Sequence, residues 1–164
     1  MPVVMTKTAV LDRFDYVLLS LVQRDNQIPA RRLAEQVGLS QSAVLRRLRR
    51  LRKDGVIAAD IAVVRPGAVG LPLTIHVLVS LERESAVELD AFIGKLRGRS
   101  EVRQAWYVTG ETDFVLLLQL PGMEAYDVFT REVFHADSNV KAFRTIVTMR
   151  EVIGAADAQP LSTA

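Results

Sequence analysis

Apolar positions along this chain keep two different periods, and the change from one to the other divides it. Up to residue 57 they recur at helical spacing. Phe14, Leu18, Leu21 and Val22 form one stripe. Leu33 and Val37 form a second, with Ala34 beside Leu33, and Val44, Leu48 and Leu51 a third at i, i+4 and i+7. Three short helices are predicted, the first opening at 11–15 and ending at Asp25-Asn26, the others spanning 29–37 and 41–54. Asp12 is placed to cap the first helix, and Asp15 sits in its first turn, where the dipole favours an acid. Pro29 suits the first position of the second helix, where a missing N–H costs nothing. Gly38 can take the left-handed conformation that ends a helix, and the Ser40 hydroxyl can cap the next. Helix, turn (Val37-Gly38-Leu39-Ser40) and capped helix make a helix-turn-helix pattern. Gly55 stops the third helix, and 56–64, rich in Val, Ile and Ala, reads as one or two short strands.

Beyond the breakers Pro66-Gly67, Gly70 and Pro72 the rhythm changes. Strands are predicted over 73–81, 102–108, 114–120 and 140–152, and helices over 85–96 and 123–135. Leu89, Phe92, Ile93 and Leu96 face inward on the first of these helices, Tyr126, Phe129 and Val133 on the second. The order β-α-β-β-α-β is that of the split, ferredoxin-like sandwich. The strands are apolar on both faces: Leu73, Ile75, Val77, Val79 and Leu81 oppose His76 and Leu78, and Phe114, Leu116, Leu118 and Leu120 oppose Val115 and Leu117. Two helices cover one face of a four-stranded sheet, so the other needs a cover, and a second copy of the sheet is the simplest. A homodimer through the C-terminal domain is therefore expected, which also pairs helix-turn-helix units for paired half-sites.

The fold class is thus α+β: a helix-turn-helix (winged-helix-like) domain over 1–60, a linker over 61–72, a ferredoxin-like (ACT-like) domain over 73–153 and a loose tail over 154–164. Charge sharpens the division. A net charge of +2 conceals 12 Lys/Arg against 6 Asp/Glu in residues 1–70, and 9 against 13 in 71–164. The basic half suits nucleic acid. On the third helix, Arg46, Arg47, Arg49, Arg50, Arg52 and Lys53 follow Gln41 and Ser42 with no acid among them. Like charges at i,i+4 repel, and a phosphate backbone would relieve them. A charge run alone reads as a solvated face; on the second helix of a helix-turn-helix it reads as a double-stranded DNA contact. Arg47 and Arg50 are expected to contact DNA, Gln41, Ser42 and Arg46 to read bases, and Arg32 on the preceding helix to join them.

No Cys is present, which removes disulfides, thiolate zinc sites and Cys nucleophiles. Gly-rich phosphate loop, HExxH and nucleophile elbow are all lacking, so no enzyme and no cofactor is expected. Asp12 and Asp15 read as helix-start acids rather than a catalytic pair. His76 reads as a sheet-face residue and His135 as a helix-end residue. Trp106 and Tyr107 lie on opposite faces of one strand and suit packing, with Tyr107 also placed to touch a small effector. The residues around 1–16 form no signal-peptide core and no apolar run is long enough for a bilayer, so a cytoplasmic, nucleoid-associated protein with no membrane partner is expected.

Several separated motifs in order carry a resemblance. They are Leu11-Asp12-x-x-Asp15, Leu33-Ala34-x-x-Val37-Gly38-Leu39-Ser40, and Arg47-x-x-Arg50-Leu51-x-x-x-Gly55-Val56-Ile57. Val108-Thr109-Gly110-x-x-Asp113-Phe114, Tyr126 and Thr145-Ile146-Val147 complete them. Over 11–152 the chain resembles the leucine-responsive regulatory protein / asparagine synthase regulator (Lrp/AsnC) family of transcription factors. The resemblance implies an N-terminal DNA-binding domain, a C-terminal ligand-sensing domain and dimers that assemble further, often to octamers. It also implies an amino-acid effector bound between dimers, near Tyr107, Val108, Thr109, Gly110 and Asp113, with Ile146 and Thr148 of the closing strand close by. Read alone, Gly110 serves a turn as well as a ligand, and Asp113 an Asx bond as well as an ammonium group. Three features depart from the family pattern: Pro29 in place of a Ser- or Thr-type cap, Arg46 in place of an acid, and His135-Ala136-Asp137-Ser138-Asn139 in place of a segment ending in Pro-Gly. That last stretch is expected to line the inter-dimer site. An architectural DNA-binding protein of the same fold, without effector, is the alternative reading.

Overall fold

In the computed structural model, which describes residues 10–154, apolar spacing becomes helix and strand in the expected order. The chain divides into two compact units at Val63/Val64, inside the expected linker. The expected loose tail lies almost wholly outside the described residues.

The first unit holds α1 (Arg13–Arg24), α2 (Ala30–Val37) and α3 (Gln41–Lys53). Its core is Leu18, Leu19, Leu33, Ala34, Val44, Leu48 and Leu51. The inner stripe of α1 therefore runs through Leu18 and Leu19, while Leu21 and Val22 pack at its margin and Phe14 is half-buried. Pro29 is the N-cap of α2 rather than its first residue; lacking a side-chain acceptor, it contributes its carbonyl to the Leu33 N–H at 3.1 Å. Gly38 closes α2 at φ 73°, and a Cβ there would meet nothing within 4 Å, so glycine is required by conformation and not by space. The Ser40 hydroxyl then accepts from the Ala43 N–H at 3.3 Å to start α3. Residues 56–64 form no strand. Val56 and Ile57 pack against the helical core, but no neighbouring strand meets this segment, and strand assignment needs a ladder partner.

The second unit opens with a 3-10 turn, Pro66–Val69, and then runs β1 (Leu73–Leu81), α4 (Ala86–Arg97), β2 (Val102–Tyr107), β3 (Phe114–Leu120), α5 (Met123–Thr130) and β4 (Val140–Val147). A π-helical turn, Arg131–His135, extends α5. The sheet order is β2-β3-β1-β4, with every pair antiparallel. Ile75, Val77, Val79, Phe114, Leu116, Leu118 and Leu120 are buried beneath Phe92, Leu96, Tyr126, Phe129, Val133 and Phe134 of the helices. β4 stops at Val147 and not at 152, because its partner β1 begins at Leu73: after the Thr148 N–H reaches the Thr74 carbonyl at 3.0 Å no ladder remains. The other sheet face, with Leu78, Val115, Leu117, Trp106 and Ile146, carries no helix among the described residues; Trp106 is 46% and Ile146 47% exposed.

Candidate nucleic-acid interface and effector site

The DNA-binding face has to be built from α3, and its geometry sorts the six basic residues into two groups. Arg47 sits three residues after buried Val44 and one before buried Leu48, which turns it toward α1. Its Nη1 donates to Asp15 Oδ1 at 2.9 Å and lies 2.8 Å from Asp12 Oδ2. Arg50 Nη2 donates to Asp15 Oδ2. Asp15 is fully buried, with its side chain 1% exposed, and also accepts the Asp12 N–H at 3.1 Å. In return Asp12 accepts the Phe14 and Asp15 N–H groups, which completes a capping box. The Asp15 N–H foremost, with burial opposing it and the Arg47 guanidinium adding to it, holds the Asp12 carboxyl below its ordinary value. The same arrangement, led by the hydrogen bond to Asp15, raises Arg47. Arg52 pairs with Asp60 at 2.8 and 3.0 Å.

Of the two residues expected to contact DNA, Arg47 is turned inward and Arg50 is exposed but paired with Asp15. Arg47 is only 22% exposed and its charge is met by α1; Arg50, 45% exposed, is tied to the same carboxylate. The acids that relieve the charge run come from within the chain, at Asp12, Asp15 and Asp60. Arg46, Arg49 and Lys53 remain exposed and have no ion pair among the described residues. They share the outer side of α3 with Gln41, Ser42 and Leu45, the last 36% exposed. Arg32 on α2 is exposed as expected, without an ion pair among the described residues. Arg49 belongs to the basic run of the sequence but was not among the expected site residues, and neither was Leu45. Distance from the Val44-Leu48-Leu51 stripe was the available signal for both.

In the second unit the expected effector residues do not converge. Val79 pairs with Phe114, and Phe114 with Tyr107, so Tyr107, Val108, Thr109, Gly110 and Asp113 lie at the end of the sheet where β1 finishes. Ile75 pairs with Val147 and His76 with Ile146, so Ile146 and Thr148 lie where β1 starts. Antiparallel pairing puts one strand's end beside its partner's beginning, which a linear motif does not reveal. Asp113 is neither a free carboxylate nor the cap of its own turn. Its Oδ2 accepts the Leu81 N–H at 2.6 Å, beside the irregularity at Ser80/Leu81, and its N–H reaches the Val79 carbonyl at 2.9 Å. Gly110 adopts φ 138°, a backbone conformation open to glycine. Thr148 Oγ1 lies 3.3 Å from His76 Nδ1. The Tyr107 hydroxyl donates to Glu84 at 3.1 Å, and that bond raises its pKa.

The stretch 135–139 also has internal work. Asp137 meets Lys95 Nζ at 2.6 Å and the Asn139 N–H at 2.9 Å. Buried Asn139 exchanges two 3.0 Å bonds with the Arg83 backbone. These bonds join the α5–β4 connection to the end of β1 and to α4. Among the described residues no group of three or more His, Cys, Asp or Glu is placed to hold a metal, and no helix is long and apolar enough to cross a membrane.

Comparison with known proteins agrees with both halves of this picture. Residues 11–58 match the model for winged helix-turn-helix DNA-binding domains, and 74–156 match that for the Lrp/AsnC ligand binding domain. An HTH-type transcriptional regulator of Sinorhizobium fredii is 47% identical over 142 residues, 87% of this chain and 84% of the relative. The leucine-responsive regulatory protein of Rhizobium meliloti is 36% identical over 142 residues, 87% of this chain and 91% of that one. Among solved structures, a transcriptional regulator of Neisseria meningitidis in complex with L-methionine superposes with a TM-score of 0.84 at 27% identity, covering 92% of this chain and 97% of that one. The three-helix unit with its exposed basic helix, the β-α-β-β-α-β unit and these matches together show that the chain is a DNA-binding transcriptional regulator of the Lrp/AsnC family.

Proposed function

We propose that the chain reads a specific DNA sequence through the outer side of α3, and that a small effector of the amino-acid class controls its DNA binding or assembly. The observation that carries the reading is the division of the α3 cations. Three are neutralised from within, and Arg46, Arg49 and Lys53 stay available beside Gln41 and Ser42. Cations meet phosphates, and Gln41 and Ser42 in the first turn suit base edges. Leu45 offers an apolar contact of the kind that meets a thymine methyl. Arg47 and Arg50 act as positioning residues that fix α3 on α1.

The effector reading is supported by two things. The relative from Neisseria meningitidis was solved with L-methionine. In this chain the residues that resemble the family's effector set occupy opposite ends of one sheet, which suits a site completed by several copies. The uncovered sheet face suits a homodimer, and further assembly toward an octamer would bring the two ends of different sheets together. The ligand then acts by favouring one assembly over another.

The test selects DNA sites from a random pool and measures affinity by fluorescence anisotropy, with and without each of the twenty amino acids, while sedimentation follows assembly. A consensus site whose affinity or stoichiometry shifts with one class of amino acid supports the reading. Salt-dependent binding with no sequence preference and no ligand response replaces it with the architectural alternative.

A further inference from the structure

A groove of about 340 Å³ runs between α4 and the edge strand β2, outside the residues assigned to DNA or, Tyr107 apart, to the effector. Its floor is apolar, made by Ile93, Leu96, Val102 and Phe114 with the Tyr107 ring. Its polar lining is Arg97, Arg99, Arg103 and Gln104, and no carboxylate lines it. Residues 71–164 carry more acids than bases, so three guanidinium groups here are a local concentration against the trend of the unit. Arg99 is fixed by Glu132 at 2.6 Å. Arg97 and Arg103 are exposed and have no ion pair among the described residues.

Arg103 reaches the groove through a defect in the sheet. Val102 pairs with Leu118 and Gln104 with Leu117, so Arg103 is an extra residue in β2. Such a bulge re-aims a side chain at a sheet edge, and here it lets Val102 and Arg103, consecutive residues, both line the groove. The groove is on the helix side of the sheet. A second sheet stacked on the open face would leave it uncovered.

We propose that this groove binds a small organic anion, a carboxylate on an aromatic or branched aliphatic body without an ammonium group. The volume falls in the range of small-molecule sites. Arg97 and Arg103 supply planar forks for a carboxylate, and the floor takes an apolar body. An α-amino acid fits poorly, because its ammonium would meet guanidinium groups and no acid of the lining; Glu84, outside it, already holds the Tyr107 hydroxyl. Apart from Tyr107, which the two share, the proposal does not rest on the amino-acid effector reading.

The test is titration calorimetry of the full chain with 3-phenylpropionate. Its neutral counterpart, 3-phenylpropionamide, is run as a control, and phenylalanine as a competitor. The expected result is binding of the carboxylate, at least about tenfold weaker binding of the amide, and no displacement by phenylalanine. The double variant Arg97→Gln with Arg103→Gln should lose about tenfold or more in affinity. Both residues are exposed, so its unliganded melting temperature should match that of the parent. Absence of heat with 3-phenylpropionate overturns the proposal. Equal binding of the amide, displacement by phenylalanine, or unchanged affinity in the folded double variant each does so as well.

Discussion

Asp15 shows how much one buried side chain decides. It accepts from Arg47, Arg50 and the Asp12 N–H, and it couples the start of α1 to the middle of α3. Removing one partner of a buried charge pair leaves the others uncompensated, which costs about 3–5 kcal/mol. Asp15→Ala is expected to destabilise the chain by roughly 3 kcal/mol, read as a lower urea midpoint. Arg47→Ala should also lower that midpoint, and any loss of DNA affinity should shrink when α3 is held folded by an osmolyte. Arg46→Ala and Arg49→Ala should behave differently. Each should leave the midpoint unchanged and reduce the steepness of log affinity against log salt by about one unit. An unchanged slope in both would remove them from the phosphate contact set.

At the scale of elements, polar side chains hold what strand pairing leaves open. Asp113 secures the irregular end of β1, so Asp113→Ala is expected to cost about 1–3 kcal/mol in stability by leaving the Leu81 N–H unmet. Asp113→Asn keeps an acceptor and should recover most of that loss. Thermal melts of the two variants distinguish this brace from a purely ligand-binding role. Lys95 and Asp137 join α4 to the approach of β4. Burial works to raise the Asp137 carboxyl, but Lys95 and the Asn139 N–H outweigh it and leave it below its ordinary value. A carboxyl depressed in the folded state contributes stability at pH values above its unfolded pKa, and that stability is lost as pH falls through the folded value. Stability is therefore expected to hold above about pH 4 and to decline below it. Asp137→Asn should flatten that acid limb in urea melts taken across the range. An unaltered limb would assign it to other carboxylates, such as Asp12 and Asp60, which are also depressed.

At the scale of the whole molecule, the exposed sheet face sets the expected assembly. Leu78, Val115 and Leu117 lie between Trp106 and Ile146 on a face that no helix of the described residues covers. Apolar area of this kind is normally buried against a partner. Trp106→Glu is expected to shift the protein toward monomer in sedimentation equilibrium and to weaken DNA binding by removing paired half-site contacts. A variant that kept the parent's mass would place the contact between copies elsewhere.

Much of this protein was legible in its sequence because the governing physics is local. Helical and strand periods, the Gly38 turn and the Ser40 cap depend on residues a few positions apart, and so do the inward residues of α4 and α5. The order of elements then left few topologies open. Even the inward tilt of Arg47 was available, since it follows Val44 by three and precedes Leu48 by one. Other features depended on distant partners. Only the folded chain brought Asp15 within reach of Arg47 and Arg50, aimed Asp113 at the Leu81 N–H, and left 56–64 without a strand beside it. It also ended β4 where β1 begins, separated the expected effector residues along the sheet, and turned Arg103 into the groove through a bulge. A period along the chain tells which face a residue occupies. Register and hydrogen-bond partners between segments tens of residues apart are set by how those faces meet, and the tertiary structure alone decided them.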